Sequence, residues 1–566
     1  MTNETPVTAI NDGPSLQGQP RVMPGIGPAA HSDMRYGWDY ERPLNDPAIA
    51  EIWCYTPRYS YVTGETIEFH AHSTRAHFDI EIYREGPQPM AVFQRSQVPV
   101  AAAHTPEEPH LHGCHWPVAL RVEVGADWSS GFYVVIVRVH DDDGAVFERE
   151  HFIVVRPSAP GGGIAFIVST ATMNAYNDWG GGNSYHGVGS TPRLKKACPR
   201  TSLHRPWSRG MVRLPLGAPR AAFTGDLPPF GHPQYPQHPW AHHNGYARDY
   251  ADSSWALYGK LFIEWAESNG YTLDYLTQHD LHENPDILRG YRLSVAVGHD
   301  EYMSWPMREA IENQLAAGGN HARFAGNNIW QVRIEEEGST FVNYKDGVSD
   351  PLCGSSQEKY VSSIWDLPYS GWPVANTFGL TGTHAINVMY GGAAPRSSGG
   401  FTVYRPWHWC LEDTDLYYGD LIGGRPDCVV AYEVDGCDFT MKEGLPYPTG
   451  KDGAPLDLKI VAMAPAVQHE EDHFQATVPM MNSTSTPAIS GDSVSLPTLD
   501  EHEGVRHPRF GAGMIASFDR GVGPGDGTMF VAGTTDWVVG LQRRNWFVEK
   551  ITRNVLDRLS VPVVIE

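Results

Sequence analysis

Leu293-Ser-Val-Ala-Val-Gly-His-Asp-Glu-Tyr302 opens the stretch that decides the fold. Its apolar run, Leu293 to Gly298, reads as a buried strand. Met307, Ile311, Leu315 and Ala316 follow at helical spacing. Gly318-Gly319 stops that helix, and a second short run, Ala322 to Gly326, ends in Asn327-Asn328. This is the pattern of a strand–helix–strand unit in a parallel sheet. Such sheets present ligands at the carboxyl ends of their strands. His299-Asp300-Glu301-Tyr302 therefore falls where chemistry is expected.

Working outward, residues 164–566 have α/β grammar. A strand is expected over 164–169 and a helix over 254–268. The next strand spans 272–276, later strands 514–519 and 528–533, and the chain closes on helix 546–559. Alternation of this kind predicts a mostly parallel sheet with helices on both faces. Residues from about 334 to 510 are irregular and strand-biased, and read as a β-rich insertion with its own small sheet. Residues 48–156 differ: short alternating strands such as Phe78-Asp-Ile-Glu-Ile-Tyr83 and Tyr133-Val-Val-Ile-Val-Arg-Val139 predict an immunoglobulin-like β-sandwich. Pro157 to Gly163 is a linker, and residues 1–47, rich in Pro, Gly, Asn and Asp, form an arm.

The bulk numbers exclude some functions. The 566-residue chain carries a net charge of -24, from 66 acids against 42 bases. That argues against nucleic acid, which needs a basic face, and against an anionic membrane surface. No apolar run is long enough to span a bilayer. Met1 to Pro20 has neither a basic start nor an apolar core, so no signal peptide is expected. Seven scattered cysteines without a CxxC pair predict a cytoplasmic protein without a thiolate zinc site. There is no Gly-x-Ser-x-Gly, no Gly-x-Cys-x-Gly, no P-loop and no dinucleotide fingerprint after the first strand. A metal-activated water is the natural alternative.

Glu301 and Tyr302 lead the candidates. Carboxylate and phenolate are hard oxygen donors suited to ferric iron. The competing reading has Tyr302 packing its ring and Glu301 capping the following helix. Asn174, Tyr176, Asn177 and Trp179 precede a run of three glycines and Ser184-Tyr185 follow it; they could line a pocket, with amides and phenols as donors, or form a capped turn. The histidines at 110–115 and 232–243 lack ligand spacing. His408, between two tryptophans, lines a pocket or stabilises the insertion. Asp536 is read as a helix cap.

Taken together, His299-Asp-Glu-Tyr302, Gly326-Asn-Asn328, Ala175-Tyr-Asn-Asp-Trp-Gly-Gly181, Tyr404-Arg-Pro-Trp-His-Trp409, Tyr432-Glu-Val-Asp-Gly436 and Gly533-Thr-Thr-Asp-Trp537 resemble the large-subunit family of N,N-dimethylformamidase. The resemblance covers about residues 50–560. It implies a glutamine-amidotransferase-like α/β domain and an amidohydrolase that cleaves the C–N bond of a small linear amide. It also implies one ferric iron per chain, held by two tyrosines and a glutamate. Carried over onto this sequence, the ligands are Tyr302, Tyr258 (with Tyr250 as the alternative) and Glu358. Glu301 and His299 would move protons, and Asn328 would donate to the developing oxyanion. Tyr176, Asn177, Trp179, Trp330 and His408 would contact substrate. A homo-oligomer is expected, with or without a small accessory subunit. The alternatives are a metal-free small-ligand or carbohydrate binder on the same fold, and a hydrolase of another C–N or ester bond.

Overall fold

A computed structural model describes residues 40–141, 143–187, 197–220, 237–384, 398–467, 510–520 and 527–561. Most of the expected arm, and part of the second histidine segment, lie outside these residues.

Residues 52–155 build two facing sheets. One has three strands, Ile52–Tyr55, Thr66–Ser73 and Val118–Glu123. The other has five, in the order Ser60–Tyr61, Val146–Val155, Gly131–His140, His77–Arg84 and Met90–Pro99. Along His77–Arg84 the buried positions are Phe78, Ile80 and Ile82. Alternation of this kind puts every second side chain on one face. Those side chains share one core with Trp53, Phe69 and Tyr133. Trp179, from beyond the linker, completes this core: its ring sits 5.6 Å from Trp53 and 5.8 Å from Trp116.

The second part is organised by a nine-stranded sheet. Its order is Leu273–Thr277, Ile164–Val168, Leu293–His299, Asn320–Gly326, Gly527–Ala532, Phe510–Arg520, Lys459–Val467, Phe401–Val403 and Leu421–Ile422. The first five strands pair in parallel. The last four continue the sheet with antiparallel pairings. The expected insertion does hold a small sheet of its own, Phe439–Lys442 with Leu445–Pro448, but its other strands correct the expectation. Part of 334–510 extends the main sheet, so the sheet is half parallel rather than mostly so. A local pattern cannot reveal this, because a short antiparallel strand looks the same whichever sheet accepts it. A separate four-stranded sheet joins Arg200–Ser202, Thr340–Val342, Trp330–Glu335 and Tyr302–Ser304.

The site lies where these two sheets meet. The Leu293–His299 strand is wholly buried and parallel on both sides. Gly298, its next-to-last residue, has φ +75°, and a Cβ there would lie 2.4 Å from Tyr258 Cβ, so only glycine lets the chain pass. His299 then closes the first sheet while Tyr302 begins the second, pairing with Trp330. Helix Trp305–Ala316 carries the chain back to Asn320–Gly326.

Candidate active site

Glu301 is the centre of the site. It is buried, and its backbone N–H donates to Thr172 Oγ1 at 2.9 Å. Its carboxylate accepts from three side chains. Tyr176 Oη donates at 2.8 Å to Oε2, Tyr185 Oη at 2.8 Å to Oε1 and 3.0 Å to Oε2, and Trp330 Nε1 at 2.7 Å to Oε1. Tyr302 Oη donates to Tyr185 Oη at 2.5 Å, and the Tyr176 and Tyr185 hydroxyls are 2.8 Å apart. Three phenols and one carboxylate thus meet in a buried space. Tyr176 ends the helix Thr170–Tyr176 that follows the first parallel strand, and Tyr302 and Trp330 are cross-strand partners. Tyr185 comes from a loop, with its N–H donating to Asn183 Oδ1 at 2.8 Å. Lys345 Nζ lies 3.3 Å from the centre of the Tyr185 ring and 4.7 Å from that of Trp330, within cation–π reach.

On the other side of Glu301 stands His299. Its Nδ1 donates to the Asp252 carbonyl at 2.6 Å, which turns Nε2 toward two carboxylates. Nε2 lies 2.6 Å from Glu433 Oε2 and 3.2 Å from Glu301 Oε2. Burial opposes charge on the imidazole, but Glu433 and Glu301 outweigh it and hold its pKa well above the usual histidine range. Burial also acts against the Glu301 carboxylate, yet His299, Lys345 and Tyr176 bring its pKa below the ordinary value. Glu433 goes the other way: burial raises it, with a further push from Glu301. Burial and then Glu301 raise Tyr176, Tyr185 and Tyr302 well above a free phenol. Neutral phenols are therefore the resting state of the protein alone. Among the described residues, His299, Glu301 and Glu433 form a group able to hold a metal ion, their ligand atoms all within 4.8 Å of one another.

The structure gathers Tyr302, Glu301, His299, Tyr176 and Trp330 at this place and sends the other candidates elsewhere. Tyr258 lies behind Gly298, with its hydroxyl donating to the Ala251 carbonyl at 3.4 Å and its ring centre 6.4 Å from that of His299. Tyr250 donates to the Pro219 carbonyl. Glu358 sits half-buried in a one-turn helix, accepting from the Gly354 N–H. The set Tyr302, Tyr258 and Glu358 is therefore not assembled. Asn177 ties loops together through Pro206 and Ser208, and Trp179 belongs to the sandwich core. Asn328 is buried with its Nδ2 3.6 Å from Met303 Sδ, whereas Asn327 reaches the site, its Nδ2 3.4 Å from His299 Nε2. His408 bonds Ser517 within the large sheet. Asp536 precedes a helix without capping it through its side chain; its carboxylate accepts from Arg220 at 2.6 Å.

Sequence reasoning missed Glu433, Lys345 and Asn327 as site residues, and noted Tyr185 beside the glycines without giving it a role in the site. Tyr185 follows the glycine run closely, and Glu433 lies inside a motif already noted, so both had a signal. Lys345 had none.

The family model for N,N-dimethylformamidase beta subunit-like proteins, C-terminal part, matches residues 79–552. The chain belongs to this family. The N,N-dimethylformamidase beta subunit of Paracoccus aminophilus is 26% identical over 305 residues, a match covering 50% of this chain and 34% of that protein. The chain thus matches about a third of that relative's length. Among solved structures, murine CRIg aligns over 19% of this chain and 98% of its own, at 17% identity and a TM-score of 0.14, too slight a likeness to bear on the fold. Among the described residues no helix is long and apolar enough to cross a membrane.

Proposed function

We propose that this dimethylformamidase-like chain hydrolyses a small amide at the Glu301 cluster, with the help of a hard cation of the ferric type. The reading rests on one observation: three phenol oxygens and a carboxylate converge within 3.0 Å contacts, beside a buried histidine 2.6 Å from a second buried acid. The donor set suits iron(III), because all four atoms are hard oxygens. Glu301, Tyr185, Tyr176 and Tyr302 would hold it. A bound trivalent ion would supply Lewis acidity to the amide carbonyl and the charge that lets buried phenols ionise.

The remaining work belongs to the protein. Glu433, whose pKa is raised by burial, accepts a proton from the attacking water at Oε2. His299 carries a proton on Nε2 and delivers it to the leaving amine nitrogen. Its Nδ1 contact with the Asp252 carbonyl keeps that nitrogen aimed inward. Trp330 and the Tyr176 ring exclude water and favour small or alkylated amides. The products are a carboxylate and an amine. We also propose an immunoglobulin-like kinship for the sandwich and an amidotransferase-like kinship for the α/β part. Assembly with copies of itself or a further subunit completes the reading, since the Paracoccus relative is named as a subunit.

Elemental analysis with visible spectroscopy tests the site. About one iron per chain with a tyrosinate-to-iron absorption band, both lost in Glu301→Gln, is the expected result, together with hydrolysis of N,N-dimethylformamide. A colourless, metal-free protein that hydrolyses no amide would remove the proposal in favour of a ligand binder.

A further inference from the structure

Arg323 is fully buried on the Asn320–Gly326 strand, between two acids. Its Nε donates to Asp300 Oδ2 at 3.2 Å, its Nη2 to the Asp300 carbonyl at 2.5 Å, and its Nη1 to Asp435 Oδ2 at 2.6 Å. The second oxygen of Asp435 accepts the Asn327 backbone N–H at 2.6 Å. Asn327 has φ 64°, a left-handed conformation that asparagine tolerates better than most residues and that the Asp435 carboxylate fixes through the Asn327 N–H. Gly326 before it has no room for a side chain: a Cβ would lie 2.6 Å from the Glu433 carbonyl oxygen.

This arrangement joins three separate pieces of chain. Asp300 lies between His299 and Glu301. Asn327 lies beside His299. Asp435 stands two residues after Glu433, and the Val434 bridge to Thr534 keeps that piece extended, so Glu433 and Asp435 share a face. One guanidinium thus ties together the segments that carry His299, Glu301 and Glu433.

We propose that Asp435 is a positioning residue: locked by Arg323, it holds Asn327 in its left-handed turn and so aims the Asn327 carboxamide at the His299–Glu433 pair. The functional half of this inference rests on the amidohydrolase reading above. The Asn327 amide steadies the Glu433 carboxylate beside His299, and Asp435 itself touches neither substrate nor metal.

The test uses the full iron-loaded chain, N,N-dimethylformamide as probe, and three variants: Asp435→Asn, Asn327→Gly and the double. Each single change is expected to lower kcat 10- to 100-fold, with KM within threefold and iron content and visible band unchanged. The double variant should lose no more than the worse single, because both act through one carboxamide. Amide hydrogen exchange at residues 326–329 should be protected in the parent protein and at least tenfold faster in Asp435→Asn. Losses that multiply in the double variant, or unchanged exchange at residue 327 in Asp435→Asn, would overturn the inference. If Asp435→Asn does not fold, Arg323→Lys replaces it with the same expected and contrary results. If the parent protein hydrolyses no amide, the functional reading falls, and the exchange measurement alone decides the positioning claim.

Discussion

Asp300 and Glu301 are adjacent, and they are almost equally buried, at 1% and 2% exposure. Their surroundings are opposite. Asp300 accepts from Arg323 Nε and from Gln278 Nε2 at 2.7 Å, so a cation and an amide neutralise and hold it. Glu301 accepts from two phenols and an indole, none of them charged, with His299 and Lys345 nearby. The chain passes from one sheet to the other at these two residues, between Leu293–His299 and Tyr302–Ser304. One carboxylate therefore enters a closed ionic frame, and the next enters a ring of neutral oxygen donors. A buried charge that is already paired has little left to offer a ligand. One ringed by phenols has a whole coordination shell to offer.

The comparison predicts different failures for the two acids. The largest effect is expected at Glu301→Gln, with the proposed amide hydrolysis down roughly 10³- to 10⁴-fold, about 4–5 kcal/mol, while the thermal midpoint moves by only a few degrees. Equal loss of activity and stability would break the contrast. Next comes Asp300→Ala, which leaves Arg323 short of a partner and should cost about 3 kcal/mol of stability, read by chemical denaturation. Its metal content should stay unchanged. Trp330→Phe removes one donor to the Glu301 carboxylate and should lower turnover about tenfold to thirtyfold, about 1.5–2 kcal/mol, without unfolding the protein.

The smallest effect per step concerns pH. Burial holds His151, His279 and His321 neutral, with pKa values pushed down to about 3. Their unfolded pKa is about 6.5, so between these values the unfolded chain binds more protons. Stability from these groups is complete above about pH 6.5 and is lost as pH falls toward 3, by about 1.4 kcal/mol per pH unit for each histidine. His299 has the opposite sign. Its folded pKa is raised, so its contribution is complete below about pH 6.5 and is lost only as pH rises through the folded value. Thermal midpoints measured from pH 7 to 4 should fall, and His321→Gln should flatten that fall. A flat profile in the parent protein would contradict the burial argument.

Much of the site was legible where its parts are local. His299, Glu301 and Tyr302 stand at the end of a predicted parallel strand, Tyr176 follows the first strand, and Trp330 lies just past Asn328. The edge rule for parallel sheets finds such residues without coordinates. Tyr185, Glu433, Asn327 and Lys345 were not assigned, because loops deliver them and a loop residue's direction depends on what it packs against. Trp179 failed for the same reason. An aromatic beside glycines looks alike whether it lines a pocket or fills the core of a neighbouring pair of sheets. Glu358 and Tyr258 match the family resemblance only by position in the chain, and position does not report distance.

The amino-acid sequence alone determined that two kinds of architecture follow one another here, and that a polar His-Asp-Glu-Tyr run sits at a strand end. Hydrophobic periodicity is local, and these conclusions need nothing more. Only the tertiary structure decided which second phenol meets Glu301, which acid faces His299, and that strands from the irregular region extend the main sheet. Those outcomes depend on contacts between residues far apart in the chain, where packing and charge pairing rather than local pattern choose the partner.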